Sequence, residues 1–406
     1  MNKATKDLKF ASIVSQDNAP EGEYIMPHTA PLYLSSTYVY ESPEKAQAVF
    51  KGKEKAYIYS RWSHPNAELV ERKVEQLETI GTKLECRALL FSSGMAAISA
   101  LFQSLIRPGD SLIVQGNIYG TSIDYINHVA KQFGLKVYYE DLKNLSRIEA
   151  IFKKDKKVKL LYTETPSNPT INCYDLKALA TLAHKYKSLI AVDNTFASPY
   201  LQRPLEYGVD FVIHSSTKYL NGHGTGLSGL VVGRDVAFMD KDVWTIRKLH
   251  GSICSPFDAW LLNLGMKTLS LRMQQHCANA LAVAKWLESQ KAISKVNYLG
   301  LESHPDHLLA KKQMKDYGGV LSFEMKKGYK AGEKLMKNLK FCKLTASLGT
   351  TDTLIQHPAS MSHYFVPKEQ REKFGITDGL VRLSVGIEDV QDIIDDFDQA
   401  LKNITK

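Results

Sequence analysis

Between Ala88 and Val232, short unbroken apolar runs alternate with stretches of helical spacing, and nothing else in the chain restricts its fold so tightly. The runs are Ala88–Phe91, Ser111–Val114, Lys136–Tyr139, Lys159–Tyr162, Leu189–Val192, Phe211–Ile213 and Gly229–Val232. Each is too short for a helix and is continuous rather than alternating, which predicts a strand buried on both faces. In the gaps, Ala96–Ile106, Ser122–Phe133 and Asp175–Tyr186 space their apolar residues as helices do. Strand and helix in repeated alternation predict an α/β fold, a mostly parallel sheet covered by helices on both sides.

The alternation weakens near Ser255-Pro256. A long helical stretch, roughly 257–290, follows. Strand-like Val296–Leu301, Gly319–Glu324 and Leu380–Val385 come next, with helices around Lys330–Asn338 and Asp389–Lys402. These predict a smaller C-terminal α+β domain with an antiparallel sheet. At the other end, residues 1–60 carry Pro20, Pro27, Pro31 and Pro43 and little helical periodicity. They predict an extended arm that needs a surface to lie on, such as a neighbouring subunit. Beyond His64-Pro65, apolar Leu69, Val70, Val74 and Leu77 mark a helix. The expected division is an arm over 1–60, a large domain over 61–256 and a small one over 257–406.

Composition narrows the function classes. A chain of 406 residues is too long for one small core. Hydrophobic content of 44% and charged content of 23% are those of a soluble globular protein. No apolar run approaches the ~20 residues of a membrane span, and the start, Met1-Asn-Lys-Ala-Thr-Lys-Asp, lacks the apolar core of a secretory signal. Cys86, Cys173, Cys254, Cys277 and Cys342 are scattered and odd in number, which predicts reduced thiols and a cytoplasmic location. The net charge of +9 is dispersed, and its densest run, Lys153–Lys159, has no interleaved aromatics. It reads as a solvated helix end, so neither nucleic acid nor membrane is an expected partner. The histidine pair of Ser303-His304-Pro305-Asp306-His307 has no third ligand at usable spacing, and no metal is expected.

In open α/β sheets, functional groups gather at the carboxyl ends of strands, and polar clusters stand at those ends here. Phe211-Val-Ile213 runs into His214-Ser-Ser-Thr-Lys218 and then Gly222, Gly224 and Gly226. A lysine just past a buried strand loses solvation and basicity, as a Schiff-base lysine must. Ser215 and Thr217 suit a phosphate. The competing reading is a surface lysine before a polar turn. Ser92-Ser93-Gly94-Met95 opens a helix whose free N–H groups would also hold a phosphate, or is a plain strand–helix turn. Asp193 would pair with a protonated ring nitrogen, or cap a helix. Asn168, between Pro166 and Pro169, is aimed by a rigid loop or is an ordinary turn residue. Tyr119 offers a stacking face and a hydroxyl. Arg382, charged within an apolar strand, wants a carboxylate from a substrate or from the protein itself.

The ordered set Tyr59-Ser-Arg61, Ser92–Ala97, Tyr119-Gly120, Glu164-Thr-Pro-Ser-Asn-Pro169, Asp193-Asn-Thr195, Ser215-Ser-Thr-Lys218 and Val381-Arg-Leu-Ser-Val-Gly386 strongly resembles the Cys/Met-metabolism family of pyridoxal-phosphate enzymes. That family includes methionine γ-lyase, cystathionine γ-lyase, cystathionine γ-synthase and the O-acylhomoserine sulfhydrylases. The resemblance runs from about Leu8 to Ile404. It implies the type I pyridoxal-phosphate fold with a seven-stranded sheet, and pyridoxal 5'-phosphate as cofactor. It implies that Lys218 carries the cofactor, Asp193 pairs with its ring nitrogen, Tyr119 stacks on the ring and Asn168 lies near its phenolic oxygen. Ser93, Gly94, Met95, Ser215 and Thr217 would hold the phosphate. Tyr59 and Arg61 would reach the phosphate in a neighbouring subunit of a tetramer built as a dimer of dimers. Ser347 and Arg382 would bind the substrate carboxylate. The implied reaction is γ-elimination from a sulfur amino acid to a 2-oxo acid, ammonia and a thiol, with Lys218 moving protons and Tyr119 protonating the departing sulfur. The alternative is γ-replacement on an activated homoserine. Ser347–Met361, with Gln356-His-Pro, looks like the methionine-lyase version, while Thr121, Arg247 and Arg61-Trp-Ser-His-Pro-Asn66 depart from it.

Overall fold

The computed structural model describes residues 8–16, 27–364 and 366–405. Seven strands form the large sheet: β1 (Arg87–Phe91), β2 (Ser111–Gln115), β3 (Lys136–Glu140), β4 (Val158–Glu164), β5 (Leu189–Asp193), β6 (Phe211–His214) and β7 (Gly229–Gly233). Their spatial order is β1-β7-β6-β5-β4-β2-β3. All neighbours are parallel except at β7, which runs antiparallel to both β1 and β6. Successive side chains of each strand enter opposite cores, because strand residues alternate faces. Leu89, Val114, Tyr162 and Ile213 pack with Ala97, Leu101 and Ile126 of the helices Gly94–Leu105 and Gly120–Phe133. Leu90, Ile113, Leu161 and Val212 pack on the other side with Val70, Val74 and Leu179 of the helices Pro65–Thr79 and Leu176–Lys185. Burial on both faces is why six of these runs carry no polar alternation; β3, at the sheet edge, is only partly buried.

A second sheet follows, of β8 (Ile293–Asn297), β9 (Val320–Met325), β10 (Lys343–Leu344), β11 (Leu354–Gln356) and β12 (Leu380–Ser384), in the order β10-β11-β12-β9-β8. Its core joins Phe323 and Val381 to Val283, Leu335 and Phe397 from three helices. The pair β10–β11 is parallel, so the sheet is not wholly antiparallel as expected. The long helical stretch is two helices, Pro256–Met266 and Leu269–Glu288, separated at Lys267-Thr268.

Within the described part of residues 1–60 there are two short helices, Phe10–Ser15 and Pro43–Phe50, where the sequence offers little periodicity. Ser42 accepts from the backbone N–H of Lys45 and Pro43 fills the first helical position, so local capping supplies what periodicity does not. The helix Pro65–Thr79 is capped by His64, whose Nδ1 accepts from Ala67 N at 3.1 Å while Nε2 donates to the Cys254 carbonyl at 2.9 Å. Burial lowers the pKa of His64, which suits a neutral ring with one accepting nitrogen.

Candidate active site

Four strand ends and one loop of the small sheet converge on Lys218. The chain leaves β6 at His214, and Ser215 N donates to Thr195 Oγ1 at 2.8 Å. That hydroxyl donates to Asp193 Oδ1 at 2.5 Å, and Thr195 N donates to the same oxygen at 3.0 Å. The ends of β5 and β6 are thus tied through one threonine. Asp193 is buried, and burial raises its carboxyl pKa.

The Ser93 turn stands against this loop. A Cβ on Gly94 would lie 2.8 Å from Ser215 Cβ, and one on Gly229 would fall 2.2 Å from the Ser93 carbonyl oxygen. Only glycines allow these three backbones to meet so closely. Ser93 Oγ accepts from Ala96 N at 3.0 Å and so caps the helix Gly94–Leu105. The Met95 sulfur lies 3.9 Å from Ser122 Oγ. Thr217 is committed as well: its hydroxyl donates to the Ser228 carbonyl at 3.1 Å and accepts from Ser228 N at 3.0 Å. Beyond Lys218, Gly222, Gly224 and Gly226 have φ of 74°, 67° and 53°, and there the chain turns back toward β7. Arg272 fastens this turn by donating to the Tyr219 and Gly265 carbonyls, both at 2.8 Å. No local sequence signal pointed to Arg272, because it comes from a helix more than fifty residues away.

Lys218 Nζ donates to Ser347 Oγ at 3.2 Å. Burial, reinforced by the charge of Arg382, brings its amine down to about 8. Arg382 is buried; Nη1 donates to Asn168 Oδ1 at 3.0 Å and Nη2 to the Ser347 carbonyl at 2.7 Å, while Nε makes no hydrogen bond among the described residues. Burial lowers Arg382 to about 10. A guanidinium fixed by two neutral acceptors, with a buried donor to spare, is prepared for an anion.

Tyr119 has an exposed ring, and its N–H donates to Glu164 Oε2 at 3.0 Å. Glu164 Oε1 accepts from Asn168 N at 2.5 Å. Over this turn lies the segment after β11: a Cβ on Gly120 would be 2.9 Å from the Ser362 carbonyl, and one on Gly116 would be 2.0 Å from the Phe374 ring.

The structure therefore gathers Lys218, Ser347, Arg382, Asn168 and Tyr119 in one network, with Asp193, Ser215, Gly94 and Ser93 in a second that adjoins it through Lys218's own loop. It does not bring in Tyr59 or Arg61. Arg61 is exposed, stacks over the Tyr59 ring at 5.3 Å and donates to the Lys248 carbonyl at 2.7 Å. Arg247 is buried in an ion pair with Glu71 at 2.5 Å and donates to the Leu90 and Trp62 carbonyls. Among the described residues, no group of three or more His, Cys, Asp or Glu is placed to hold a metal ion, and no helix is long and apolar enough to cross a membrane.

These donors form a site with a lowered amine, a carboxylate, a glycine-lined turn and an arginine. Comparison with known proteins gives the class. The model of the Cys/Met metabolism PLP-dependent enzymes matches residues 12–402. The chain is 44% identical over 376 residues to the L-methionine gamma-lyase of Fusobacterium nucleatum subsp. nucleatum, covering 92% of this chain and 93% of that one. It is 40% identical to the O-succinylhomoserine sulfhydrylase of Pseudomonas aeruginosa, over 95% of this chain and 93% of that one. Among solved structures, metB from Corynebacterium glutamicum superposes with a TM-score of 0.91 at 36% identity, over 100% of both chains. The protein belongs to the Cys/Met-metabolism family of pyridoxal-phosphate-dependent enzymes.

The residues present fit that cofactor. Asp193 is a buried carboxylate held by a hydroxyl and an amide, a suitable partner for a ring N–H. Ser215 Oγ makes no hydrogen bond among the described residues, and it faces Gly94 at a separation that leaves no room for a side chain.

Proposed function

We propose that the protein is a pyridoxal-phosphate-dependent carbon–sulfur lyase that takes methionine or a similar sulfur amino acid, with one water, to a 2-oxo acid, ammonia and a thiol. The observation that carries this reading is the Lys218–Ser347–Arg382 cluster: an amine lowered to about 8 beside an arginine with a buried unpaired donor. The relatives named as L-methionine gamma-lyases support the choice of substrate, at 40–44% identity.

Bound pyridoxal phosphate supplies the electron sink for charge built at the substrate's Cα. The protein does the rest. Ser93, Gly94, Met95, Ser215 and Thr217 take the phosphate, Gly94 and Met95 through backbone N–H groups and Ser215 and Thr217 through hydroxyls, the Thr217 hydroxyl turning from the Ser228 carbonyl to do so. Asp193 holds the ring nitrogen protonated. Tyr119 stacks on the ring and its hydroxyl gives a proton to the departing sulfur. Arg382 and Ser347 hold the α-carboxylate. Lys218 Nζ, unprotonated in an appreciable fraction near pH 8, removes the Cα proton and, once it has handed that proton on and is neutral again, the Cβ proton. Asn168 faces the cofactor's phenolic oxygen while Arg382 orients it.

The 1–60 arm, the 61–256 large domain and the 257–406 small domain complete the proposed organisation, with a cytoplasmic location. Tyr59 and Arg61 serve a neighbouring subunit's phosphate in a tetramer. In support, Leu34, Val39 and Phe50 of the arm and Leu227, Leu249 and Phe257 near its foot are exposed apolar side chains that a partner would cover.

A second reading, γ-replacement on an activated homoserine, draws on the 40% identity to a sulfhydrylase. Incubation with methionine alone, cystathionine alone, and O-acetylhomoserine plus sulfide separates the two. Release of 2-oxo acid without an added nucleophile is the expected result; a strict requirement for the nucleophile overturns it.

A further inference from the structure

Glu164 is buried at the carboxyl end of β4, and the chemistry above gives it no part. Its partners are unusual for a buried acid. Both of its oxygens accept from backbone N–H groups, Oε2 from Tyr119 at 3.0 Å and Oε1 from Asn168 at 2.5 Å. Those residues come from different loops, one after β2 and one after β4, and no backbone bond joins them. In the sheet, Glu164 is the register partner of Asp193 on β5. Two acids side by side in the interior are costly, and a fold keeps them where their geometry is used.

We propose that Glu164 is a positioning residue of this site, a carboxyl clasp that fixes the ring-stacking Tyr119 and the cofactor-facing Asn168 in one frame by accepting from both backbones. The inference rests on the roles given above to Tyr119 and Asn168. A glutamine has one acceptor oxygen and an NH2 group, so it can serve only one of the two N–H groups and opposes the other. An aspartate keeps the carboxyl but is one methylene shorter and cannot span both. The groups that face Glu164 are Asp193 on β5, Arg382 on β12 and Tyr162 on its own strand. Burial and the Asp193 charge raise the Glu164 carboxyl, and the two N–H bonds and Arg382 oppose them.

The test uses the full-length protein, wild type and Glu164→Gln, with pyridoxal phosphate titrated into the apo form and followed by its visible band. Loss of one buried hydrogen bond at the ring-stacking residue predicts a cofactor Kd raised about tenfold. A thermal melt serves as the fold control, and Glu164→Asp is the second variant should the glutamine protein fail to fold. The same titration on Tyr119→Ala and on the double variant reports whether the clasp acts through the tyrosine. If it does, the tenfold factor shrinks toward one when Tyr119 is already gone. An unchanged Kd in a folded variant, or effects of Glu164→Gln and Tyr119→Ala that simply multiply, would overturn the proposal. Wild-type protein that develops no band would instead fail the cofactor reading on which it rests, and the proposal with it.

Discussion

Gly94→Ala puts the phosphate cradle to a quantitative test. The added Cβ would stand 2.8 Å from Ser215 Cβ, 3.0 Å from its Oγ and 3.1 Å from its Cα. Carbon atoms pack at ~3.5–4.0 Å, so the turn and the Lys218 loop must part by roughly 0.7 Å or more. The loop cannot yield freely, because Ser215 N is tied to Thr195 and Thr195 to Asp193. Overpacking of this kind costs about 1–3 kcal/mol. If the displaced groups are phosphate contacts, that energy appears as a cofactor Kd raised about 5- to 150-fold. The control is Gly134→Ala, at a helix C-cap with φ of 62° and nothing near its Cβ. That variant loses about 1 kcal/mol of stability through backbone strain alone. Titrating cofactor into both apo proteins, alongside thermal melts, separates the effects. Weakened cofactor binding in Gly94→Ala only is the expected result. An unchanged Kd in Gly94→Ala, or equal weakening in both, refutes the cradle.

Other expectations follow from the same geometry. The rate at which apo protein captures pyridoxal phosphate needs the neutral Lys218 amine. With that amine at about 8, the rate rises about tenfold per pH unit below 8 and levels off above it; stopped-flow absorbance from pH 6 to 10 checks this. Arg382→Lys keeps the charge but loses the planar fork that reaches both Asn168 and Ser347. It should raise KM for the amino acid about tenfold or more in steady-state assays, with a smaller change in the melting temperature. Arg247→Ala strips the buried Glu71 of one of its two arginines and should destabilise the fold by about 3–5 kcal/mol in urea titration. Arg247→Lys should leave substrate preference unchanged, since Arg247 touches Glu71, Leu90 and Trp62 and none of the proposed substrate contacts.

The large sheet was legible because strands buried on both faces must be apolar throughout, which holds for all but the partly buried edge strand β3, and all seven runs became strands within two residues of their expected ends. The strand-end clusters were legible for a related reason: a polar group directly after such a run has to be explained. The small sheet was less so. β10 and β11 have two and three residues, too few to leave a pattern, and they exist because β11 pairs on the edge of β12 and β10 in turn on β11. β8 starts at Ile293, earlier than expected, and Tyr298 and Leu299 are buried beyond its end rather than within it, because burial does not require a strand. Thr217 shows a different limit. Its hydroxyl suits a phosphate, yet Ser228, eleven residues on, uses both its donor and its acceptor capacity. Glu164 stands in a motif visible in the sequence, but its two backbone partners lie four and forty-five residues away. Spacing cannot show a bond that only the sheet's crossover creates.

Lys218 serving a γ-elimination is the central claim for this site. Purified protein loaded with pyridoxal phosphate and given L-methionine as its sole substrate should release 2-oxo acid, ammonia and thiol in equal amounts, and Lys218→Ala should release none. No 2-oxo acid from the wild type until a thiol or sulfide is supplied with an activated homoserine, or undiminished release from Lys218→Ala, would contradict it.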